Sequence, residues 1–489
     1  MDCQNITKHF RKHPMIAINY PEYRGIPHIA GIGLMTDAMR PGLSVEDVVR
    51  RLKRFHYSLK RLHEIMTARI TAEPIYELKS AYSLHSWLAA EHVAALRKRV
   101  GEMREPPLGL DTVPDGNLEV FFDEILCCPT SEELVFGLYG KAIPSLIGAI
   151  EKFQQDTNIL ADQPTVRILR FALLELNDMN DFGGQAIKGM IDAQCQDKMN
   201  HYCEVLDEAL LTSGGIDGTH QVSGKKADRF YSLKPYTYDP VPKRDERFKD
   251  LYNQGVNAEA FLYNPDYSAQ AKTIMMFFKR FREVDVPEMM AGIIAQTKGK
   301  PWEYYRDLSR QLWDEARHGM MGEVGFVNLG IDWKKITFTF NWSMGLNTQL
   351  KPIERHAVLY FIEQGLMPKT GKRYEWEVAQ ISGNPLSALF QDYDWADEVL
   401  HARIGRDWYV SDFKDAHEAI EYGDQCWSKI LMDWNKYQTD GLTEHKSWWP
   451  EVYQDACKAW GIEPDPKVLA YAETYQNKRP DLKTISASA

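Results

Sequence analysis

Two short segments carry residue types suited to metal chemistry, Glu315-Ala-Arg-His318 and Glu398-Val-Leu-His401. Each is a Glu-x-x-His pair preceded by an aspartate, Asp314 or Asp397. A small residue follows each His (Gly319, Ala402), and a glycine stands three further on (Gly322, Gly405). Residues three apart on a helix share a face, so each pair offers one carboxylate and one imidazole to a common point. Two such helices, with one further Glu from each of two others, build a dinuclear metal site in a four-helix bundle. Bridging carboxylates offset the repulsion between two cations. Carboxylate and imidazole donors suit Fe(II) or Mn(II) better than a soft metal.

The two lone carboxylates must come from other helices. Ahead of the first motif Glu288 is the first choice, because Val284, Ala291 and Gly292 around it are small or apolar. Glu283 stands beside Lys279 and Arg280 and reads as solvated. Pro287 leaves a second reading of Glu288 open, as a first-turn residue of a new helix. Ahead of the second motif Glu354 and Glu363 are nine residues apart and face opposite sides of a helix. Glu354 follows Pro352 in a first turn, whereas Glu363 has Leu359, Tyr360, Leu366 and Met367 around it and is chosen. A carboxylate in that setting needs a partner, and a cation is an effective one. A ligand His also needs an acceptor for its other N–H. The expected pairing is crossed, Asp314 serving His401 and Asp397 serving His318. His356, seven before Glu363, reads as a satisfied core histidine.

The two D-E-x-x-H motifs and the order Glu…ExxH…Glu…ExxH resemble the ferritin-like diiron-carboxylate superfamily over about residues 268–408. That superfamily includes rubrerythrins, ribonucleotide reductase small subunits and bacterial multicomponent monooxygenases. The resemblance implies Glu288, Glu315, His318, Glu363, Glu398 and His401 as ligands of two Fe ions, with Mn or a mixed Mn/Fe pair open. It also implies an oxidoreductase that uses dioxygen to hydroxylate, desaturate or N-oxygenate a small organic substrate. Electrons would come from an external reductase, since no flavin or Fe–S motif is visible. Two rivals remain. One is metal storage or peroxide detoxification, which an additional domain of about 210 residues argues against. The other is a metal-free helical scaffold.

The elements that must position these residues read as helices throughout, so the fold class is all-α. Expected helices run from Ser44 to about Ile70, from Ile75 to Met103, and over about 131–156, 163–181 and 184–212. In the second half they cover about 268–297, 301–329, 352–366 and 385–408. The Gly- and polar-rich stretch after 212 places a linker at 213–250. It separates an N-terminal helical domain (1–212) from a dimetal-binding domain (251–489). The N-terminal domain reads as a degenerate related bundle, because Glu175-x-x-Asp178 stands where an ExxH would be. His56 and His63 are seven apart, as are His85 and His92. A hairpin centred near residue 74 would bring them together. A second metal site there is one reading, and ordinary interhelical hydrogen bonding is the favoured one. The tryptophans of the second half, Trp313 and Trp395 among them, read mainly as core packing.

A net charge of −11 argues against nucleic-acid and anionic-membrane partners. Seven cysteines without regular spacing do not form a disulfide framework. The start of the chain lacks a signal-peptide core, and no run of about 18 apolar residues exists. The expectation is a cytoplasmic protein, with a homodimer as its expected assembly. No P-loop, Rossmann or G-x-S-x-G motif is present, which disfavours nucleotide and α/β-hydrolase chemistry.

Overall fold

The computed structural model describes residues 20–104, 109–192, 196–222, 224–368, 370–430 and 432–475. Among these residues the regular structure is helical, apart from one isolated bridge between Val256 and Thr474. The first half contributes α1 (Val45–Arg69), α2 (Tyr76–Glu102), α3 (Gly116–Cys127), α4 (Ser131–Asp156), α5 (Gln163–Met190) and α6 (Gln196–Thr212). The second half contributes α7 (Ala269–Arg282), α8 (Asp285–Gln296), α9 (Trp302–Asn328) and α10 (Asn341–Gln349). It continues with α11 (Pro352–Gly365), α12 (Lys372–Ile381), α13 (Pro385–Trp408), α14 (Ala416–Ser428) and α15 (Trp449–Trp460).

Local signals start these helices. The Ser44 hydroxyl accepts from the Asp47 amide and caps α1, whose first turn carries Glu46 and Asp47. The stretch expected as one helix over 268–297 is two. α7 stops at Arg282 and α8 begins at Asp285. Pro287 explains the break: it has no N–H, and its ring clashes with the carbonyl four residues back, at 283. Conversely, Gly183 and Gly184 do not interrupt α5. Gly183 is needed because Tyr139 packs onto it; a Cβ there would lie 2.1 Å from the Tyr139 Cβ.

One hydrophobic core runs through both halves, from Val48 and Phe55 in α1 to Met289 in α8, Leu308 and Leu312 in α9, and Ile430. A second gathers Phe277 and Phe281 of α7 with Trp448 and Trp449. Residues 213–250, expected as a linker, are stitched to both sides. Arg54 of α1 donates to the carbonyls of Ser213, Gly215 and Ile216. The Glu124 carboxylate accepts from the amides of Phe230, Tyr231 and Ser232. Arg244 is buried against Asp285 and Glu288. α4 is the one helix among the described residues long and apolar enough to cross a bilayer, and 56% of its most apolar window is buried within the fold.

Candidate metal centre

Four helices converge on one buried point. α9 and α13 lie side by side, with α7 packed on α9 and α11 packed on α13. On α9 the residues Gln311, Glu315, His318 and Gly322 fall at steps of four, three and four, one stripe of the helix. On α13 the same steps give Asp394, Glu398, His401 and Gly405. Each residue of the second stripe lies 83 positions after its counterpart.

The motif glycines set how closely the outer helices approach. A Cβ on Gly322 would lie 2.2 Å from the Phe281 backbone nitrogen and 2.6 Å from the Phe277 carbonyl of α7. A Cβ on Gly405 would lie 2.3 Å from the Tyr360 ring of α11. The first approach carries Glu283, at the C-terminal cap of α7, into the centre. The second carries Glu363, at the end of α11, in from the other side.

The two imidazoles are 6.0 Å apart between ring centres. His318 Nε2 lies 3.1 Å from Asp397 and His401 Nε2 lies 3.4 Å from Asp314, the crossed pairing read from the sequence. Arg317 ties both aspartates together at 2.7 and 2.6 Å, and Arg310 adds a second hold on Asp314. Facing inward, His318 Nδ1 is 3.3 Å from Glu283 and 3.8 Å from Glu315. His401 Nδ1 is 3.1 Å from Glu315, 3.7 Å from Glu398 and 3.9 Å from Glu363. Ligand-capable atoms of Glu283, His318, Asp394 and Glu398 lie within 4.8 Å of one another, as do those of Glu315, Glu398 and His401. Glu398 is shared by both groups.

Three of the four carboxylates have one oxygen held and the other left over. Glu283 is held by Arg280 at 2.9 Å, Glu363 by Gln311 at 3.2 Å, and Glu398 by Lys372 at 2.7 Å. The second carboxylate oxygen of each is buried without a hydrogen-bond partner. Glu315 Oε1, His318 Nδ1 and His401 Nδ1 are orphaned in the same way. Buried polar groups are nearly always satisfied. Four carboxylate oxygens and two imidazole nitrogens face one another around this point without a well-formed hydrogen bond, beside the equally unsatisfied Arg280 guanidinium, and these six atoms fit divalent cations.

The electrostatics follow from this crowding. Burial opposes protonation of His318, but Asp397, Glu283 and Glu315 outweigh it and push its pKa up to about 10. His401 is likewise raised well above the usual range by Glu315 and Asp314, against burial. Burial and the negative charges of Glu398 and Glu315 raise Glu363. Glu398 is pulled well below the usual range, against burial, chiefly by the Lys372 ammonium. Arg280 and Lys372 hold Glu283 at about 2 in the same manner. A cation in the centre would replace the protons held there.

Of the residues expected from sequence, Glu315, His318, Glu363, Glu398 and His401 are brought together, with Asp314 and Asp397 behind them. Glu288 is not. Its oxygens are taken by Lys79 at 2.6 Å, by Arg244 at 3.0 Å and by the Ser343 hydroxyl at 2.8 Å. The Pro287 break puts it in the first turn of α8, and Glu283 takes the place expected for it. Lys279 and Arg280 beside Glu283 imply solvent in the sequence. Both are instead buried, pairing with Glu375 and with Glu283 and Asp394. Spacing carried the missed signal. Glu283 is 32 residues before Glu315, close to the 35 between Glu363 and Glu398, whereas Glu288 is 27 before it. Asp394 was recoverable as the position 83 after Gln311. Lys372, buried between Asp394 and Glu398 at 2.9 and 2.7 Å, had no sequence signal.

The four N-terminal histidines take four separate partners. His63 meets Ser309 at 2.8 Å, His85 meets Tyr139 at 2.7 Å, His92 meets Glu175 at 2.7 Å and His56 meets Arg97 at 3.3 Å. None belongs to a ligand group among the described residues. His356 packs against Tyr304 and Tyr409 and also stands outside both groups. The chain matches no protein-family model, no curated protein and no solved structure.

Proposed function

We propose that the protein is a non-haem diiron oxidoreductase with a ferritin-like bundle formed by α7, α9, α11 and α13. It would use dioxygen to hydroxylate, desaturate or N-oxygenate a small organic substrate, with electrons from a separate reductase. The observation that carries this reading is the set of six orphaned oxygen and nitrogen atoms converging at one buried point. Glu283, Glu315, His318, Glu363, Glu398 and His401 would hold the two ions, and Glu398 belongs to both groups of ligand-capable atoms. When bound, such a pair supplies the electrons and open coordination positions that dioxygen reduction needs.

The chain's own contribution is preorganisation. Asp397 and Asp314 accept the Nε2–H of the two imidazoles and leave Nδ1 as the donor atom. Arg280, Gln311 and Lys372 each hold one carboxylate oxygen, so that the other points inward. Glu315, His318, Glu363, Glu398 and His401 are buried and Glu283 is largely covered, which keeps bulk water away from the reacting position.

One observation favours a second reading. Arg280 and Lys372 already neutralise part of the acidic cluster, as a metal-poor helical scaffold would require. Elemental analysis of anaerobically purified protein, with Glu315→Ala and His401→Ala variants, separates the two. About two irons per chain, falling sharply in both variants, is the expected result. Two manganese ions would keep the centre and change the chemistry. No metal after reconstitution with Fe(II) would overturn the enzyme reading and leave the scaffold.

A further inference from the structure

A cleft away from the metal centre is lined by residues of both halves of the molecule. It has a volume of about 1240 Å³ and is lined by the second half of α1, the end of α3, residues 232–236 with Tyr238, the end of α8 and the start of α9. That is large enough for a drug-sized molecule. Its walls carry seven Lys and Arg against three Asp and Glu, on a chain of net charge −11. None of the candidate metal ligands lines it.

We propose that this cleft binds an organic anion with an apolar or aromatic body and a carboxylate or phosphate head. The cation surplus is not used up internally. Arg61 and Arg229 share Asp123 at 2.8 and 2.7 Å, Arg97 and Lys60 share Asp111 at 2.9 and 3.4 Å, and Lys300 pairs with Asp412 at 2.9 Å, so four of these cations divide two carboxylates. Lys234 and Lys298 are exposed at the rim and have no acidic partner among the described residues. Tyr236, Trp302 and Tyr305 supply aromatic surface below them, suited to a flat apolar body.

A buried histidine adds an independent mark of a ligand. His63 lines the cleft and is 2% exposed. The Ser309 hydroxyl donates to the Tyr305 carbonyl at 2.7 Å, so it accepts from His63 Nε2. His63 Nδ1 is therefore an acceptor, and it has no partner. Burial pushes the His63 pKa down to about 3, which keeps the ring neutral. A ligand N–H or O–H at this inner end would satisfy it. Ser309 is about 9 Å along α9 from Glu315, so an occupant would lie against the helix that carries the first motif.

The test is a fluorescence titration of the full chain with 8-anilinonaphthalene-1-sulfonate, which has an aromatic body, an anionic head and one N–H. The expected result is one saturable site, weakened tenfold or more in a Lys234→Glu/Lys298→Glu double variant of unchanged circular dichroism and thermal midpoint. Benzoate and inorganic pyrophosphate serve as competitors. Displacement by benzoate assigns a carboxylate head, and displacement by pyrophosphate a phosphate head. Unsaturable binding, equal binding by the double variant, or displacement by neither competitor would overturn the proposal. The titration reads the cleft with or without metal, so its outcome stands apart from the elemental analysis.

Discussion

At the scale of single residues, two glutamates five positions apart have opposite fates. Glu283 ends in the centre with an orphaned oxygen, and Glu288 ends saturated by Lys79, Arg244 and Ser343. Their variants should therefore fail differently. Glu283→Ala is expected to lower metal content with a modest change in stability. Glu288→Ala strands the buried Lys79 and leaves Arg244 with Asp285 alone, and it is expected to cost about 3–5 kcal/mol while leaving the metal content of the folded fraction unchanged. Metal analysis and urea unfolding of the two variants side by side decide this; equal metal loss in both would return Glu288 to the centre. Lys372 offers a second residue-scale test. Its ammonium is the resident counter-charge of Asp394 and Glu398. In Lys372→Met the metal-free protein should melt lower, and added Mn(II) should raise its midpoint by more than in the parent, because the ion replaces a missing cation. An identical Mn(II)-induced rise in both would show that Lys372 and the ion do not share these carboxylates.

At the scale of elements, the repeated glycines decide whether the ligand set can assemble at all. Gly322 and Gly405 each stand four residues after a motif histidine, where the facing helix comes closest. At Gly322 the obstructing atoms are backbone, which cannot swing aside. Gly322→Ala should push α7 away from α9, costing about 1–3 kcal/mol as overpacking, and should withdraw Glu283 from the centre. The check is chemical unfolding together with metal stoichiometry; full metal content despite the expected destabilisation would show that α7 can shift without losing its carboxylate. Much of this arrangement was legible in the chain. The repeated D-E-x-x-H pattern, 83 residues apart, paired α9 with α13, whereas the close approach at the glycines after each histidine was not read from it. The break between α7 and α8 was legible only as an alternative. A proline near a helix start and a proline inside a helix look alike until the neighbouring helices fix the path.

At the scale of the whole molecule, the two halves share a core, and several histidines lie buried in it. Burial depresses His85 to about 4, while an unfolded histidine titrates near 6.5. Below about pH 6.5 the unfolded state takes up a proton that the native state refuses, so stability falls as pH falls towards 4. Between pH 7 and pH 5 this one group should remove about 2 kcal/mol. The His85→Gln variant, which keeps a hydrogen-bonding side chain opposite Tyr139, should lose that much less stability than the parent over the same interval in urea unfolding. Parallel losses would mean that His85 protonates without unfolding. His318 has the opposite sign. Its raised pKa of about 10 gives the metal-free protein stability that is fully present below about 6.5 and lost as pH rises through 10.

The sequence by itself determined the all-helical architecture, the two Glu-x-x-His stripes, the inward Glu363 and the crossed aspartate pairing. The helices, the stripes and the inward Glu363 follow from helical periodicity, and the crossed pairing from the need of a ligand histidine for an acceptor at its other N–H. Only the tertiary structure decided that Glu283 rather than Glu288 enters the centre, that Lys372 and Arg280 stand beside it, and that 213–250 is packed against both halves. Those outcomes depend on which charges meet across helices far apart in sequence. A buried lysine and a solvated one are the same letter until a distant carboxylate is placed next to it.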